Sequence, residues 1–230
     1  HRAFPLPRRK PRSFVRSVAI KALGHAARLY LQRNPVRVIG IAGARGKTVF
    51  KRVLVDELGK SFRVRGGILS YNTEVGLPLS VLNTTLSERG IFDRATAVLW
   101  AGMRALVGNE SSEILVLEYG AHSAEEAEEL LRIVTPEFLV ITELSAGESG
   151  AELLGLSKGV EKIATAVSRA NIFWVDSGSL SDSLRTSLLP ENQLIPPLES
   201  EQPSLSYRLA SSAVERLDSA LNSLGGGHSR

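Results

Sequence analysis

The sequence predicts an α/β fold, a doubly wound and mainly parallel sheet carrying a P-loop and preceded by a basic N-terminal helix. Three observations support this. From Pro35 onward, short apolar runs alternate with segments of helical spacing, as in a chain built of βα units. Several of the runs are apolar nearly throughout, as strands are when helices cover both faces of a sheet. A glycine-rich turn, Gly43-Ala44-Arg45-Gly46-Lys47-Thr48, joins the first run to the first helical segment. Such a sheet places its phosphate-binding loop at that junction.

The elements follow in order. Residues 1–12 contain Pro5, Pro7, Pro11 and Arg8-Arg9-Lys10 and read as a basic arm. Ser13 to Arg33 has helical spacing, with Phe14, Val18, Leu23, Ala26, Leu29 and Tyr30 on one stripe and Arg16, Lys21, Arg28 and Arg33 elsewhere. Such a stripe usually marks a face packed on a core. The competing reading is a basic amphipathic helix resting on an anionic membrane surface. Nucleic acid is disfavoured, because no set of base-stacking aromatics accompanies the charge. Strands are expected at Val36–Ala42, Phe62–Arg65, Ile114–Glu118, Phe138–Ile141 and Ile172–Val175. Helices are expected at Thr48–Leu58, Thr96–Val107, Ala124–Ile133, Leu156–Ser168 and Ser181–Leu188. Residues 189–206 read as a loop, Tyr207–Leu224 as a last helix, and Gly225-Gly226-Gly227 as the end of the ordered part. The expected organisation is therefore an arm and helix at 1–34, a P-loop ATP-binding domain at 35–224 and a tail at 225–230.

The 230 residues suffice for one large α/β domain, or a domain with an appendage. No cysteine is present, which excludes disulfides, thiolate metal sites and cysteine nucleophiles. No apolar run is long enough to span a bilayer, and no signal-peptide pattern is visible. The net charge of +4 conceals an asymmetry. The first acidic residue is Asp56, and half of the 28 Lys and Arg precede it, leaving 14 basic against 24 acidic residues in the remainder. The excess of positive charge thus belongs to the N-terminal quarter.

The turn after the first strand gives the chemistry. Backbone N–H groups of a glycine-rich turn converge on one point, and the helix N-terminus adds its partial positive charge. Lys47 supplies a full charge for phosphate oxygens, and Thr48 a hydroxyl for Mg²⁺. The strict P-loop spacing would need glycine at Ile41, so the motif present is the shorter Gly-x-x-Gly-Lys-Thr form. Three more pieces fall at strand ends: Ser70 to Pro78, Glu118-Tyr119-Gly120-Ala121-His122, and Thr142-Glu143. A carboxylate facing a phosphate loop is a natural Mg²⁺ partner, and Glu118 is the best placed. His122 reads more readily as a loop residue than as a base or ligand.

Taken together, Gly-x-x-Gly-Lys-Thr after Ile39-Gly40-Ile41-Ala42, then Asn72-Thr73-Glu74-Val75-Gly76-Leu77-Pro78, then Val116-Leu117-Glu118-Tyr119-Gly120-Ala121, resemble the central ATP-binding domain of the Mur ligase family. The closest resemblance is to its D-alanyl-D-alanine-adding branch and short relatives, over roughly residues 35–176. The resemblance implies an ATP- and Mg²⁺-dependent ligase of cell-wall peptidoglycan synthesis, in which a carboxylate becomes an acyl phosphate and an amine then attacks it. It implies nucleotide contacts from Gly43, Ala44, Arg45, Gly46, Lys47, Thr48, Asn72 and Thr73, metal ligation by Thr48 and Glu118, and Lys47 at the transferring phosphate. It also implies a muramyl-peptide or amino-acid substrate and a cytoplasmic location, with peripheral contact at the inner membrane surface through the basic N-terminus as an added expectation.

The sequence departs from the family in two respects. The family carries an Asn and then a His after the fourth strand, where this chain reads Thr142-Glu143-Leu144-Ser145-Ala146-Gly147-Glu148. The family's carbamoylated lysine aligns with Val160 by apolar spacing or with Lys162 by the Glu161-Lys162 pair, while Lys158 lies one turn earlier. Lys162 is the candidate for the catalytic role. The basic arm and helix stand in place of the family's uridine-nucleotide domain, and no room follows Leu224 for its C-terminal domain, so completeness would require a partner chain or a C-terminal domain missing from this sequence. The alternative expectation is a degenerate nucleotide-binding regulatory or scaffold protein without ligase activity.

Overall fold

Each of the five apolar runs forms a strand, and all pair in parallel. The computed structural model describes residues 14–44, 46–67, 72–84, 91–142, 150–175, 194–195 and 216–223. The arm at 1–12, Arg45, the helix expected at Ser181–Leu188 and the tail lie outside the described residues. The element order is α1 (Phe14–Arg33), β1 (Arg37–Ala42), α2 (Lys47–Leu58), β2 (Val64–Gly66), α3 (Gly76–Leu82), α4 (Ile91–Val107), β3 (Ile114–Tyr119), α5 (Ala124–Leu131), β4 (Phe138–Ile141), α6 (Gly150–Thr165), β5 (Ile172–Val175) and β6 (Leu194–Ile195). Residues 216–223 are helical. The sheet order is β2-β3-β1-β4-β5-β6. β1 is central, with β3 on one side and β4 on the other, so its end is the point where the winding changes direction.

The strand residues alternate between two cores, as the two-residue period requires. Ile39, Ile41, Val116 and Val140 face α2 and the 216–223 helix, through Phe50, Leu54, Leu58, Leu217 and Leu221. Val38, Leu115, Leu117, Leu139 and Ile141 face the layer formed by α1, α3, α4, α5 and α6. Every residue of β3 is buried, which explains its uninterrupted apolar run.

α1 belongs to this second layer. Leu23, Ala27 and Tyr30 are buried in it, and burying a side chain the size of Leu contributes about 1.5–3 kcal/mol. Its exposed arginines also bind the domain: Arg28 donates to the carbonyl of Arg132 at 2.8 Å and Arg33 to that of Ala105 at 2.9 Å. Val18, expected on the inward stripe, is half exposed. α3 was not expected as a helix. All seven of its residues are buried, so it carries no amphipathic period to read. β6 falls within residues 189–206, expected to form a loop.

A polar cluster fastens α1 and α3 to the edge of the sheet. Arg65 on β2 pairs with Glu110 and donates to the carbonyls of Ser80 at 2.8 Å and Val81 at 2.9 Å. The Tyr30 hydroxyl donates to Glu110 Oε2 at 3.4 Å, and the Arg104 guanidinium lies 5.6 Å from the centre of the Tyr30 ring. Burial pushes the Glu110 carboxyl up, but the hydrogen bonds and charge of Arg65 outweigh it, so Glu110 lies below its ordinary value of 4.5. A carboxyl lowered in the folded state stabilises the fold above its unfolded pKa, and that stability is lost as pH falls through the folded value. Urea unfolding is therefore expected to lose more stability between pH 7 and pH 3 in the wild type than in Glu110→Gln, where the titrating group is absent. Equal losses would show that Glu110 contributes nothing to the acid limb.

Candidate nucleotide site

Strand register brings the candidate residues together. Ile41 pairs with Glu118 and Ala42 with Tyr119, while Ala42 pairs on its other side with Ile141. Gly43, Gly120 and Thr142 therefore lie side by side just past three adjacent strand ends. The backbone N–H of Thr142 donates to the Ala42 carbonyl at 2.8 Å, and its hydroxyl donates to the same oxygen at 3.1 Å. That holds β4 against the start of the turn. Gly43 has φ +135°, and a Cβ there would stand 2.2 Å from Thr142 Oγ1 and 2.8 Å from the Thr142 carbonyl oxygen. Only glycine lets the chain leave the sheet at this point.

Gly46, at φ +80°, is the N-cap of α2, and no side chain caps this helix. The first turn of α2 thus directs its amides and dipole toward the turn, the arrangement that receives a phosphate. Lys47 Nζ folds over the turn, donating to the Gly43 carbonyl at 2.6 Å and the Ala44 carbonyl at 3.1 Å. Thr48 Oγ1 donates to Glu118 Oε2 at 3.1 Å. Asn72 lies against the same edge: the Gly120 amide donates to its carbonyl at 2.8 Å, and its side chain fills the space a Cβ on Gly120 would need. Thr73 is exposed, and its hydroxyl accepts from the Gly76 amide at 3.3 Å at the start of α3.

These features have counterparts in known proteins. No family model matches the chain. The UDP-N-acetylmuramoyl-tripeptide–D-alanyl-D-alanine ligase of Bacillus subtilis is 33% identical over 141 residues, 61% of this chain and 25% of that protein. The ligase of the same name from Borreliella burgdorferi is 29% identical over 129 residues, 56% of this chain and 23% of that protein. The chain is similar to these Mur ligases over part of its length. Solved structures agree on the fold. The MurF ligase of Thermotoga maritima, in complex with ADP, matches 81% of this chain with a TM-score of 0.55 and 22% identity, over 38% of its own length. A MurF structure from Acinetobacter baumannii matches 88% with a TM-score of 0.59 and 16% identity, over 47% of its length. The chain spans about a quarter of the length of the two curated Mur ligases it matches.

Mg²⁺, which a Mur-ligase-like site implies, can be tested against the residues present. Glu118 is 2% exposed, and its Oε2 is beside Thr48. Its Oε1 lies 2.8 Å from Lys51 Nζ, an ion contact that does not meet the angle of a directed hydrogen bond. A carboxylate with coordinating capacity and an adjacent hydroxyl, below a phosphate turn, fit a cation that takes one or two protein oxygens and completes its shell with phosphate and water. Among the described residues no group of three or more His, Cys, Asp or Glu could hold a metal alone, so the fit is to a nucleotide-bound ion.

Other Mur-ligase expectations are not met. Lys162 does not join the site. It lines a shallow groove with Glu128, Leu131, Arg132, Thr165 and Ala166, between α5 and α6 and across the sheet from α2. α6 is seated by Gly159 pressing on Ala121, where a Cβ would meet the Ala121 carbonyl oxygen at 2.7 Å, and this phase turns Lys162 toward α5. Lys158 is exposed, and its charge reaches Glu125, which is held low first by its hydrogen bond to Ser123. Thr142, the first residue past β4, has its hydroxyl committed to Ala42. His122 is exposed, and its amide donates to Glu126 at the cap of α5.

One residue of the site was absent from the sequence reading. Lys51, one turn beyond Lys47, is buried and contacts both Glu118 and the Gly67 carbonyl. A lysine within an amphipathic helix reads as solvated, and the period of α2 gives no warning that this one points inward. The one available clue is that Lys51 shares a helix face with Lys47 and Thr48.

Proposed function

We propose that this chain is the nucleotide-binding domain of a Mur-type ligase, which holds ATP at the turn after β1 and presents its γ-phosphate to a substrate carboxylate. The observation carrying this reading is the meeting of Thr48 and Glu118 at 3.1 Å directly beside the Gly43–Lys47 turn, since a phosphate grip and a metal carboxylate have to adjoin for phosphoryl transfer. The turn amides and the N-terminus of α2 bind the phosphates. Lys47 leaves the Gly43 and Ala44 carbonyls for the phosphate oxygens, trading neutral acceptors for charged ones. Asn72 and Thr73 line the approach to the γ-phosphate. Thr48 and Glu118 would hold Mg²⁺, which when bound offsets the charge of the phosphates. A carboxylate oxygen of the substrate attacks the γ-phosphorus and ADP leaves. An amine then attacks the acyl carbon, phosphate leaves, and the amine gives up a proton.

The relatives' names point to a UDP-N-acetylmuramoyl tripeptide as the acid and D-alanyl-D-alanine as the amine. The parts of those relatives beyond this chain's match would bind them, so a further domain or a partner chain completes the enzyme. A cytoplasmic location, with peripheral membrane contact through the basic N-terminus, accords with the nucleotide-linked substrate in the relatives' names.

A second reading, nucleotide binding without ligation, is favoured by the position of Lys162 in a groove between α5 and α6, away from the turn. A chimera that carries this chain's matched segment within the Bacillus subtilis ligase, incubated with ATP, Mg²⁺, the muramyl tripeptide and D-alanyl-D-alanine, separates the two. ADP release that depends on both acceptors supports the ligase. Nucleotide binding with no acceptor-dependent release supports the second reading.

A further inference from the structure

Lys51 is the cation of the site that the phosphate motif does not explain. Its side chain is 7% exposed, and its ammonium bridges two elements: Glu118 at the end of β3, at 2.8 Å, and the Gly67 carbonyl just after β2, at 2.9 Å. Lysine is almost never buried unless paired, and a buried pair loses much of its attraction to desolvation. Such a pair gives little stability over an apolar one, which makes a functional role more informative than a structural one. Its partner is the carboxylate assigned to the metal, and the oxygen it faces is the one lacking a directed hydrogen bond.

We propose that Lys51 is a positioning residue that acts as the resting counter-ion of Glu118, making metal binding conditional on nucleotide. Beside Lys51 the carboxylate is already neutralised, so a divalent ion arriving alone meets a site with no net negative charge. An ion arriving on a triphosphate brings its own negative charge and gains the turn amides as well. This inference rests on the reading of Glu118 as a metal ligand.

The test uses Mn²⁺ as the probe, with its bound fraction read by electron paramagnetic resonance on the full chain, with and without a non-hydrolysable ATP analogue. Without nucleotide, Lys51→Met is expected to bind Mn²⁺ at least roughly tenfold more tightly than the wild type, because the competing charge is gone. Lys51→Arg, which keeps the charge, is expected to remain near the wild type. Nucleotide-free Mn²⁺ affinity that is unchanged or weaker in Lys51→Met overturns the proposal. Should Lys51→Met fail to fold, thermal unfolding of Lys51→Met/Glu118→Gln decides instead. The double variant is expected to melt above either single variant, whereas additive losses contradict a counter-ion pair. A wild type that binds no nucleotide would defeat the proposed function. The nucleotide-free affinities and the double variant would still decide the role of Lys51.

Discussion

Lys47→Ala is expected to weaken ATP binding about 100-fold while the fold survives. The ammonium lies over the turn and donates to two backbone carbonyls, at a half-buried position where water can replace it. In the bound state it would instead meet phosphate oxygens. Charge-assisted hydrogen bonds contribute roughly 1.5–3 kcal/mol each, and each 1.4 kcal/mol is about tenfold in affinity. Lys47→Arg is expected to recover only part of the loss, because a planar fork does not replace a compact point charge within a tight turn. Calorimetric titration with a non-hydrolysable ATP analogue, paired with thermal unfolding, checks both halves. Binding within threefold of the wild type would remove Lys47 from the site, and a large fall in melting temperature would assign it a structural role.

Gly43→Ala is expected to destabilise the domain by about 3 kcal/mol or more, against roughly 1–2 kcal/mol for Gly46→Ala. Both glycines have positive φ, and Gly43 at +135° lies farther from the left-handed region that alanine can adopt than Gly46 at +80°. Space separates them further. At Gly46 a Cβ would meet nothing within 4 Å, whereas at Gly43 it would stand 2.2 Å from the Thr142 hydroxyl and 2.8 Å from its carbonyl oxygen. Removing the hydroxyl in Gly43→Ala/Thr142→Ala is expected to recover little, since the carbonyl stays in place and Thr142 also ties β4 to β1. Urea unfolding of the three variants measures the difference. Equal losses at Gly43 and Gly46 would mean that the turn is not pressed against β4.

These residues also show where the sequence was legible and where it was not. The strands were readable because β3 and β4 are buried on both faces, which produces short uninterrupted apolar runs. The phosphate turn was readable because its chemistry is local: glycines, lysine and threonine follow one another between a strand and a helix. Glu118 was readable because it ends a strand, and parallel register carries it to Ile41. The missed features depend on contacts between distant segments. α3 is too buried to show a period. Lys51 lies among solvated charges in sequence but points toward β3, so its burial comes from Glu118 and Gly67 and not from its neighbours. The Glu161-Lys162 pair on α6 points to Lys162, but the close seat of Gly159 on Ala121 fixes a helix phase that no local spacing records.

A triphosphate held between the turn and Glu118 is tested most directly by calorimetric titration of a non-hydrolysable ATP analogue into the wild-type chain and Glu118→Gln, each with and without Mg²⁺. The predicted result is one nucleotide per chain, with Mg²⁺ strengthening binding in the wild type and having little effect in Glu118→Gln. Absence of binding to the wild type, or equal strengthening by Mg²⁺ in both proteins, would contradict it.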